Sequence, residues 1–188
     1  MVTPEQFWPP FALTVTAGPL TLQAVRDEDM PALLELVLAG VHDPAVIPFS
    51  TPWTDAAPAD LLRQSAAYYW RSRADFSPAS WSLDLVVSLA GEIVGVQALF
   101  GENFPVTRVA ETGSWLGRAH QGRGIGTLMR QAACALVLDH LAASSSPPRP
   151  TRTTPPRSPS AARWDTSTTG SSAGNGGRAS WPSCDVSS

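Results

Sequence analysis

The chain has 188 residues, a formal net charge of −3 and a sequence pI of about 5.5. Such a charge gives no general attraction to nucleic acids or anionic membranes, and the longest apolar run, 132–138, is far shorter than the ~20 residues that cross a bilayer. The first ten residues lack the basic and apolar segments of a secretory signal, so we expect one cytoplasmic domain that binds neither nucleic acid nor membrane.

The first part of the chain predicts a short hairpin followed by two helices. Apolar residues alternate on either side of a Gly-Pro pair, which suits a hairpin or a bent strand. Helical spacing of apolar residues follows twice, with a proline-rich loop between. In chain order the predicted elements are strands at Leu13–Val15 and Leu20–Val25, a helix from Asp27 or Asp29 to Gly40, a loop over 42–58 and a helix over Asp60–Arg73.

The next part predicts three strands and a last helix. Their order gives a mixed α/β (α+β) domain, in which a largely antiparallel sheet is flanked by helices. The predicted elements are strands at Trp81–Leu89, Ile93–Phe100 and Val106–Leu116, and a helix over Gly124–Leu141.

The composition changes near Leu141. Residues 1–141 hold every Leu, Ile, Phe, Tyr and Met, whereas residues 142–188 carry 12 Ser, 6 Thr, 7 Pro and 4 Gly. Such a stretch buries too little apolar area to offset the entropy lost on ordering. We therefore predict an N-terminal extension over 1–12, a folded domain over 13–141 and a disordered tail over 142–188.

The most informative block is a strand that runs into a glycine-rich turn, which opens the last helix. Gly122, Gly124 and Gly126 let the backbone approach a ligand with its N–H groups exposed. The helix N-terminus adds partial positive charge, and Arg118 and Arg123 can add charge-assisted hydrogen bonds. The pattern indicates a pyrophosphate site.

Two other phosphate-binding motifs do not fit this turn. A P-loop needs Gly-Lys-Ser/Thr, and the chain has no lysine. A Rossmann fingerprint needs G-x-G-x-x-G in an early βαβ unit, whereas this turn reads G-x-G-x-G after three strands. Because glycine loops before helices are common, the residues alone leave an ordinary turn open as well.

The turn reads Gln121-Gly122-Arg123-Gly124-Ile125-Gly126. It resembles the Gln/Arg-x-x-Gly-x-Gly/Ala motif that GNAT N-acetyltransferases carry between their fourth strand and third helix. The preceding strand, 111–117, and the opening segment, 20–29, are similar to the branch that modifies ribosomal-protein N-termini, the RimJ/RimL type. The resemblance covers roughly residues 13–141.

The resemblance implies transfer of an acetyl group from acetyl-CoA to a primary amine, on a protein N-terminus or a small molecule, without a metal. It places the cofactor on the loop and on the strand before it. The implied binding residues are Gln121, Gly122, Arg123, Gly124, Ile125, Gly126 and Thr127 around the pyrophosphate, and Ser114, Trp115 and Leu116 along the pantetheine arm.

The proton acceptor for the amine is a carboxylate or a water chain in this chemistry. Glu111, on the strand that leads to the loop, is the catalytic candidate, although an ordinary solvated carboxylate fits it equally well. His120 is expected to have a structural role before the loop, and His42 and Asp43 are placed near the acceptor. Four aromatic residues fit either an acceptor pocket or the core: Trp53, Tyr68, Tyr69 and Trp70.

A fifth strand and a fourth helix follow the third helix in the family, where this chain instead enters its Ser/Pro-rich tail. A one-base shift of the reading frame turns Trp164-Asp165 into an obligatory glycine and Trp181-Pro182 into an obligatory alanine. The shifted frame also permits a pattern similar to the family's fourth helix. We therefore expect a frameshift near residues 141–146, a domain without its C-terminal quarter, poor stability and impaired activity.

Two alternatives from other classes stay open. The first is a non-catalytic acyl-CoA-binding remnant of the same fold. The second is an RNA-associated protein that uses the five arginines between Arg149 and Arg178, although these have no interleaved aromatic platforms.

Overall fold

The computed structural model describes residues 1–43, 45, 53–141 and 143. Within these residues, five strands form one antiparallel sheet in the order β1-β2-β3-β4-β5. The strands are β1 (Thr14–Ala17), β2 (Leu20–Ala24), β3 (Ser80–Leu89), β4 (Glu92–Glu102) and β5 (Ala110–Leu116). The helices are α1 (Pro4–Phe7), α2 (Met30–Ala39), α3 (Pro58–Ala74), α4 (Phe104–Thr107) and α5 (Ile125–Ala135).

Two tight hairpins join the first four strands in pairs. Gly18, with φ of 55°, turns β1 into β2. Ala90 and Gly91, with φ of 51° and 87°, turn β3 into β4. Two consecutive residues with positive φ match the twist of the flanking strands, and this favours a hairpin connection.

The sheet separates two apolar cores. Alternate residues of a strand point to opposite faces, so one face of the sheet packs on α5 and the other on α2 and α3. The α5 face buries Leu22, Leu85, Val87, Leu99 and Met129. The α2/α3 face buries Leu33, Trp53, Tyr69, Val86, Val96 and Trp115. The functional residues described below lie on the second face and along the open edge of β5.

The N-terminal segment is held against the sheet by Arg26. The guanidinium of Arg26 lies 4.6 Å above the Phe11 ring. It donates to the Phe11 carbonyl at 2.8 Å and pairs with Glu5 at 2.9 Å. Trp8 packs against Phe11 and Phe76, with ring centroids 4.5 and 5.7 Å apart. Residues 1–12 thus form a layer over one end of the α3 side.

The predicted fold class is confirmed, with one strand placed wrongly at its start. Residues 106–109, predicted as the first part of a strand over 106–116, do not belong to it. Residues Phe104–Thr107 form the short helix α4, and β5 begins at Ala110. Pro105 lies in the first turn of α4, and Asn103 and Arg108 bracket it with left-handed φ of 49° and 51°. A left-handed residue cannot continue a strand, so the strand starts after Arg108.

The last predicted helix, 124–141, is α5 followed by a π-helical segment at Leu136–His140. The predicted tail and frameshift, and most of the predicted loop over 42–58, lie outside the described residues. None of the helices in the described part is long and apolar enough to span a membrane.

Candidate active site

The glycine loop lies between the end of β5 and the start of α5. Gly122 and Gly124 adopt φ of 71° and 76°, and a Cβ at either position would meet no atom within 4 Å. Both residues are therefore exposed, adopt a left-handed backbone conformation and pack against no other residue on their Cβ side, as a loop that wraps an anion requires. The α5 helix begins at Ile125 directly after Gly124. Its first N–H groups lack intrahelical partners and point towards the loop.

Gln121 fixes this loop to two other parts of the fold. Its side-chain amide donates to the carbonyls of Leu116 at 2.8 Å and Val41 at 2.7 Å. The side-chain nitrogen is thus occupied by hydrogen bonds within the fold. Any contact of Gln121 with a ligand would be made by its side-chain oxygen or its backbone. Arg118 and Arg123 are both exposed beside the loop, where a guanidinium can reach a phosphate.

His120 is buried beneath the loop. Its Nε2 lies 3.7 Å from the Glu92 carboxylate, and its ring packs near Gly117. This placement agrees with the structural role predicted for His120, because the ring faces the turn rather than the cavity described below.

The open edge of β5 presents the backbone of alternate residues. The Gly117 N–H bonds the Val94 carbonyl, and a Cβ on Gly95 would lie 2.2 Å from the Trp115 carbonyl oxygen. The backbone of Trp115 therefore faces β4, and by the period of an antiparallel ladder that of Ser114 and Leu116 faces away from it. No strand in the described residues pairs with this outer edge. A ligand with amide groups can add to it as an extra strand.

A cavity opens on the opposite, α2/α3 side of the same strand. It is open to solvent on one side. Aromatic side chains dominate its walls, and the polar groups are few. The residues that define it are Trp53, Ser65, Tyr68, Asp84, Phe100 and Trp115. The cavity also reaches the backbone of Gly113 and Ser114, so it meets the open edge of β5 from behind.

Asp84 is the carboxylate of this cavity, and sequence reasoning missed it. It is 7% exposed. The Tyr68 hydroxyl donates to one carboxylate oxygen at 3.2 Å and the Ser82 hydroxyl to the other at 3.4 Å. Burial raises the pKa of Asp84 to about 6, and the hydrogen bonds from neighbouring hydroxyls limit this rise. The one signal in the sequence is a charged residue inside the apolar run Leu83–Val87.

The two tyrosines beside Asp84 stay protonated. Burial first, and the nearby Asp84 carboxylate second, raise the pKa of the Tyr68 and Tyr69 phenols. A smaller cavity also borders Asp84, with Trp8 and Arg73 in its walls. The Arg73 guanidinium is engaged by Asp27.

The other predicted residues are dispersed around this centre. Glu111 lies on β5 opposite Phe100 and is half-buried. The His42 ring lies 2.7 Å from the Thr54 hydroxyl and 2.8 Å from the Asp43 carbonyl. Of the four aromatic residues, three line the cavity, namely Trp53, Tyr68 and Tyr69. Trp70 does not, because it is 52% exposed and its indole donates to Asp27 at 3.1 Å.

In the described part of the chain, no group of three or more His, Cys, Asp or Glu residues is arranged to hold a metal ion.

Residues 19–160 match the family model described as an acetyltransferase (GNAT) domain. The fold is similar to RimJ of Mycobacterium smegmatis in complex with a CoA disulfide, at 20% identity and a TM-score of 0.57, over 70% of this chain and 63% of that one.

Two further solved structures share the fold. One is titled a probable acetyltransferase, with 21% identity and a TM-score of 0.51 over 70% of each chain. The other is a Salmonella typhimurium acetyltransferase that modifies the N-terminal serine of ribosomal protein L7/L12, with 18% identity and a TM-score of 0.51 over 68% of this chain and 69% of that one. The structures show the common fold, and the family model covers most of this sequence. The chain belongs to the GNAT acetyltransferase family.

Proposed function

We propose that this protein is an N-acetyltransferase that moves the acetyl group of acetyl-CoA to a primary amine. The observation that carries the proposal is that one strand, β5, joins three features. Its end leads into the exposed loop at Gly122–Gly124, its outer edge is open, and the cavity reaches its backbone from the other side.

Each feature suits one part of the reaction. The amides that follow Gly122 and the N-terminus of α5 bind the pyrophosphate. The outward backbone groups of Ser114 and Leu116 pair with the pantetheine arm, although the Leu116 carbonyl is already shared with Gln121. An outward N–H of β5 polarises the thioester carbonyl and stabilises the oxyanion that forms when the amine attacks. The amine enters from the cavity.

The first test measures acetyl-CoA binding by calorimetry and uses a charge placed on α5. Thr127→Glu puts a carboxylate at the third helical position, where it favours the helix but repels a pyrophosphate. Its matched control is Gln131→Glu, which adds the same charge one turn further along an exposed face. We expect Thr127→Glu to weaken binding at least tenfold and Gln131→Glu less than about threefold, because a charge interaction near 4 Å amounts to several kcal/mol at most and falls with distance.

The second test measures transfer. Acetyl-CoA is incubated with a tetrapeptide that begins with serine and, separately, with phenylalanine methyl ester, and the acetylated amine is measured by mass spectrometry. We expect product above the rate without protein, but slow turnover, because the Ser/Pro-rich composition of residues 142–188 is not typical of an apolar strand or helix that could cover the cofactor.

The outcomes separate the candidate functions. Binding with transfer supports the enzyme. Binding without transfer to any amine overturns it and supports the acyl-CoA-binding remnant. No binding of acetyl-CoA, or equal binding by the Thr127→Glu variant, overturns the cofactor site itself.

A further inference from the structure

The cavity behind β5 holds a buried carboxylate that has no cationic partner among the described residues. The ion pairs of the described part do not include Asp84, and the nearby Arg73 is engaged by Asp27. A buried carboxylate is costly unless it is neutralised or paired. The Tyr68 hydroxyl bonds one carboxylate oxygen and the Ser82 hydroxyl the other, and Ser72 adds a further side-chain hydrogen bond. A carboxylate has about four acceptor positions, so its oxygens can still accept from a ligand.

The sheet leaves an open path from this carboxylate to the edge strand. Asp84 pairs with Ala98, and Ala98 pairs with Gly113, so the three residues form one row across β3, β4 and β5. Strands are about 4.8 Å apart, which places Asp84 roughly 10 Å from the edge strand between Cα atoms. Because Ala98 and Gly113 are small, no side chain fills the row, and both residues line the cavity together with Asp84.

The remaining walls indicate what kind of molecule fits. They are apolar and aromatic, with Val37, Phe100 and Trp115 among them. Ser65 adds one polar group. Its hydroxyl is buried and has no hydrogen-bond partner within the described residues, although it faces the cavity. Buried hydroxyls in proteins normally have a hydrogen-bond partner, and a bound ligand can provide one here.

We propose that Asp84 binds the ammonium group of the acceptor and takes its proton, and that the acceptor is a primary amine on a small apolar or aromatic body. This rests on the function proposed above. The Asp84 carboxylate accepts one proton from R–NH₃⁺, and the nitrogen lone pair of R–NH₂ then attacks the thioester carbon. The carbon–sulfur bond breaks, and the thiolate takes the second amine proton. The proton on Asp84 passes to solvent.

The difference in pKa between the amine and Asp84 also favours one class of amine. The pKa of Asp84 is raised to about 6 by burial, whereas α-amino groups titrate near 7.7–8.0 and lysine near 10.4. Proton transfer to a carboxylate becomes tenfold less favourable for each unit that separates the two groups. An α-amine is therefore a better acceptor for this site than a lysine side chain.

Amine binding in the absence of acetyl-CoA tests the proposal. Phenylalanine methyl ester carries an α-amine on an aromatic body, and methyl 3-phenylpropanoate has the same body without the amine. Calorimetry or tryptophan fluorescence gives both affinities for the full chain and for Asp84→Asn. We expect this variant to lose at least tenfold affinity for the amine and less than twofold for the neutral compound, because only the amine carries charge.

Three further variants make the result specific. Asp75→Asn, on an exposed carboxylate at the end of α3, should bind the amine as the wild type does. Ala98→Leu should block the row and reduce the affinity for both compounds, without weakening acetyl-CoA. Glu111→Gln removes the carboxylate proposed from the sequence, which lies on the edge strand opposite Phe100, and should weaken amine binding less than Asp84→Asn does. Circular dichroism confirms that each variant is folded.

The outcomes of this test and of the cofactor test are independent. If Asp84→Asn binds the amine as well as the wild type, or if Glu111→Gln loses the amine instead, the role of Asp84 is wrong even where acetyl-CoA binds. If amine binding depends on Asp84 but acetyl-CoA does not bind, the proposed function fails while the amine site stands. Equal rates of acetyl transfer to a lysine side-chain amine and to an α-amine overturn the preference for α-amines.

Discussion

The substitution Asp84→Asn should make the protein more stable at neutral pH. The buried carboxylate has its pKa raised from the usual 3.8 to about 6. A raised pKa in the folded state means that ionised Asp84 opposes folding. Two units at 1.36 kcal/mol each give a penalty of about 3 kcal/mol. The amide that replaces the carboxylate has nearly the same shape, keeps the acceptor for the Tyr68 hydroxyl, and does not ionise.

The penalty has a defined pH window. Below pH 3.8 Asp84 is protonated in both the folded and the unfolded chain, so the variant should match the wild type. Between pH 3.8 and about 6 the unfolded chain ionises first, and the wild type loses stability relative to the variant. Above that range the difference is constant. The two tyrosines that face Asp84 do not titrate there, since burial raises the pKa of both Tyr68 and Tyr69 above the usual 10.

Urea unfolding at pH 3.5, 5, 6.5 and 8 measures this difference, since subtracting the two curves removes every group that the variants share. We expect a difference near zero at pH 3.5 that grows to about 3 kcal/mol in favour of the variant at pH 8. The control Asp75→Asn, at an exposed site, should give a flat and small difference. A variant that is less stable than the wild type at pH 8, or a difference that does not change with pH, would refute the reasoning.

Two more substitutions and one control test the residues that support the site. Gly95→Ala places a methyl group 2.2 Å from the Trp115 carbonyl oxygen, so the free energy of unfolding should fall by about 1–3 kcal/mol or more. In the control, Gly126→Ala, the methyl group makes only an ordinary contact at 3.8 Å, and the same urea titration should show no loss of stability. Gln121→Leu removes two hydrogen bonds to backbone carbonyls, so stability should fall by about 1–2 kcal/mol. Amide hydrogen exchange over residues 121–126 should become faster, and unchanged exchange would mean that Gln121 does not hold the loop.

Local patterns predicted the elements well where backbone chemistry agrees with apolar spacing. The hairpin at Gly91 and the helix that ends at Gly40 both have a glycine with positive φ at the predicted turn. The strand start at Val106 was wrong because the apolar pattern there is misleading. Val106 is 76% exposed, and the left-handed residue Arg108 separates it from the strand.

The residues that a helix buries were harder to predict than the position of the helix in the sequence. Tyr69 and Trp70 were both predicted to lie in an acceptor pocket or in the core, yet the buried stripe of α3 is Leu61, Ser65 and Tyr69 at intervals of four. Trp70 lies outside that stripe because its indole finds a surface partner in Asp27. A serine on the buried side does not add to the apolar periodicity of a helix, so this pattern could not predict that Ser65 lines the cavity.

The position of the glycine loop was predictable, and the buried carboxylate of the cavity was not. A loop motif is contiguous, whereas Asp84 acquires its position from a row of partners on two other strands, Ala98 and Gly113. Strand register is a property of the whole sheet, and it cannot be deduced from one strand. Glu111, the catalytic candidate from the sequence, lies on the strand that leads to the loop, and its role stays a prediction.

The layer formed by residues 1–12 has a practical consequence. Trp8 and Asp84 share the walls of the smaller cavity, so the N-terminal residues form part of the dry surroundings of that carboxylate. A clone trimmed to begin at the first strand would lack Trp8 and would open this side of Asp84 to water. Recombinant protein used to measure the acidity of the site should therefore keep residues 1–12.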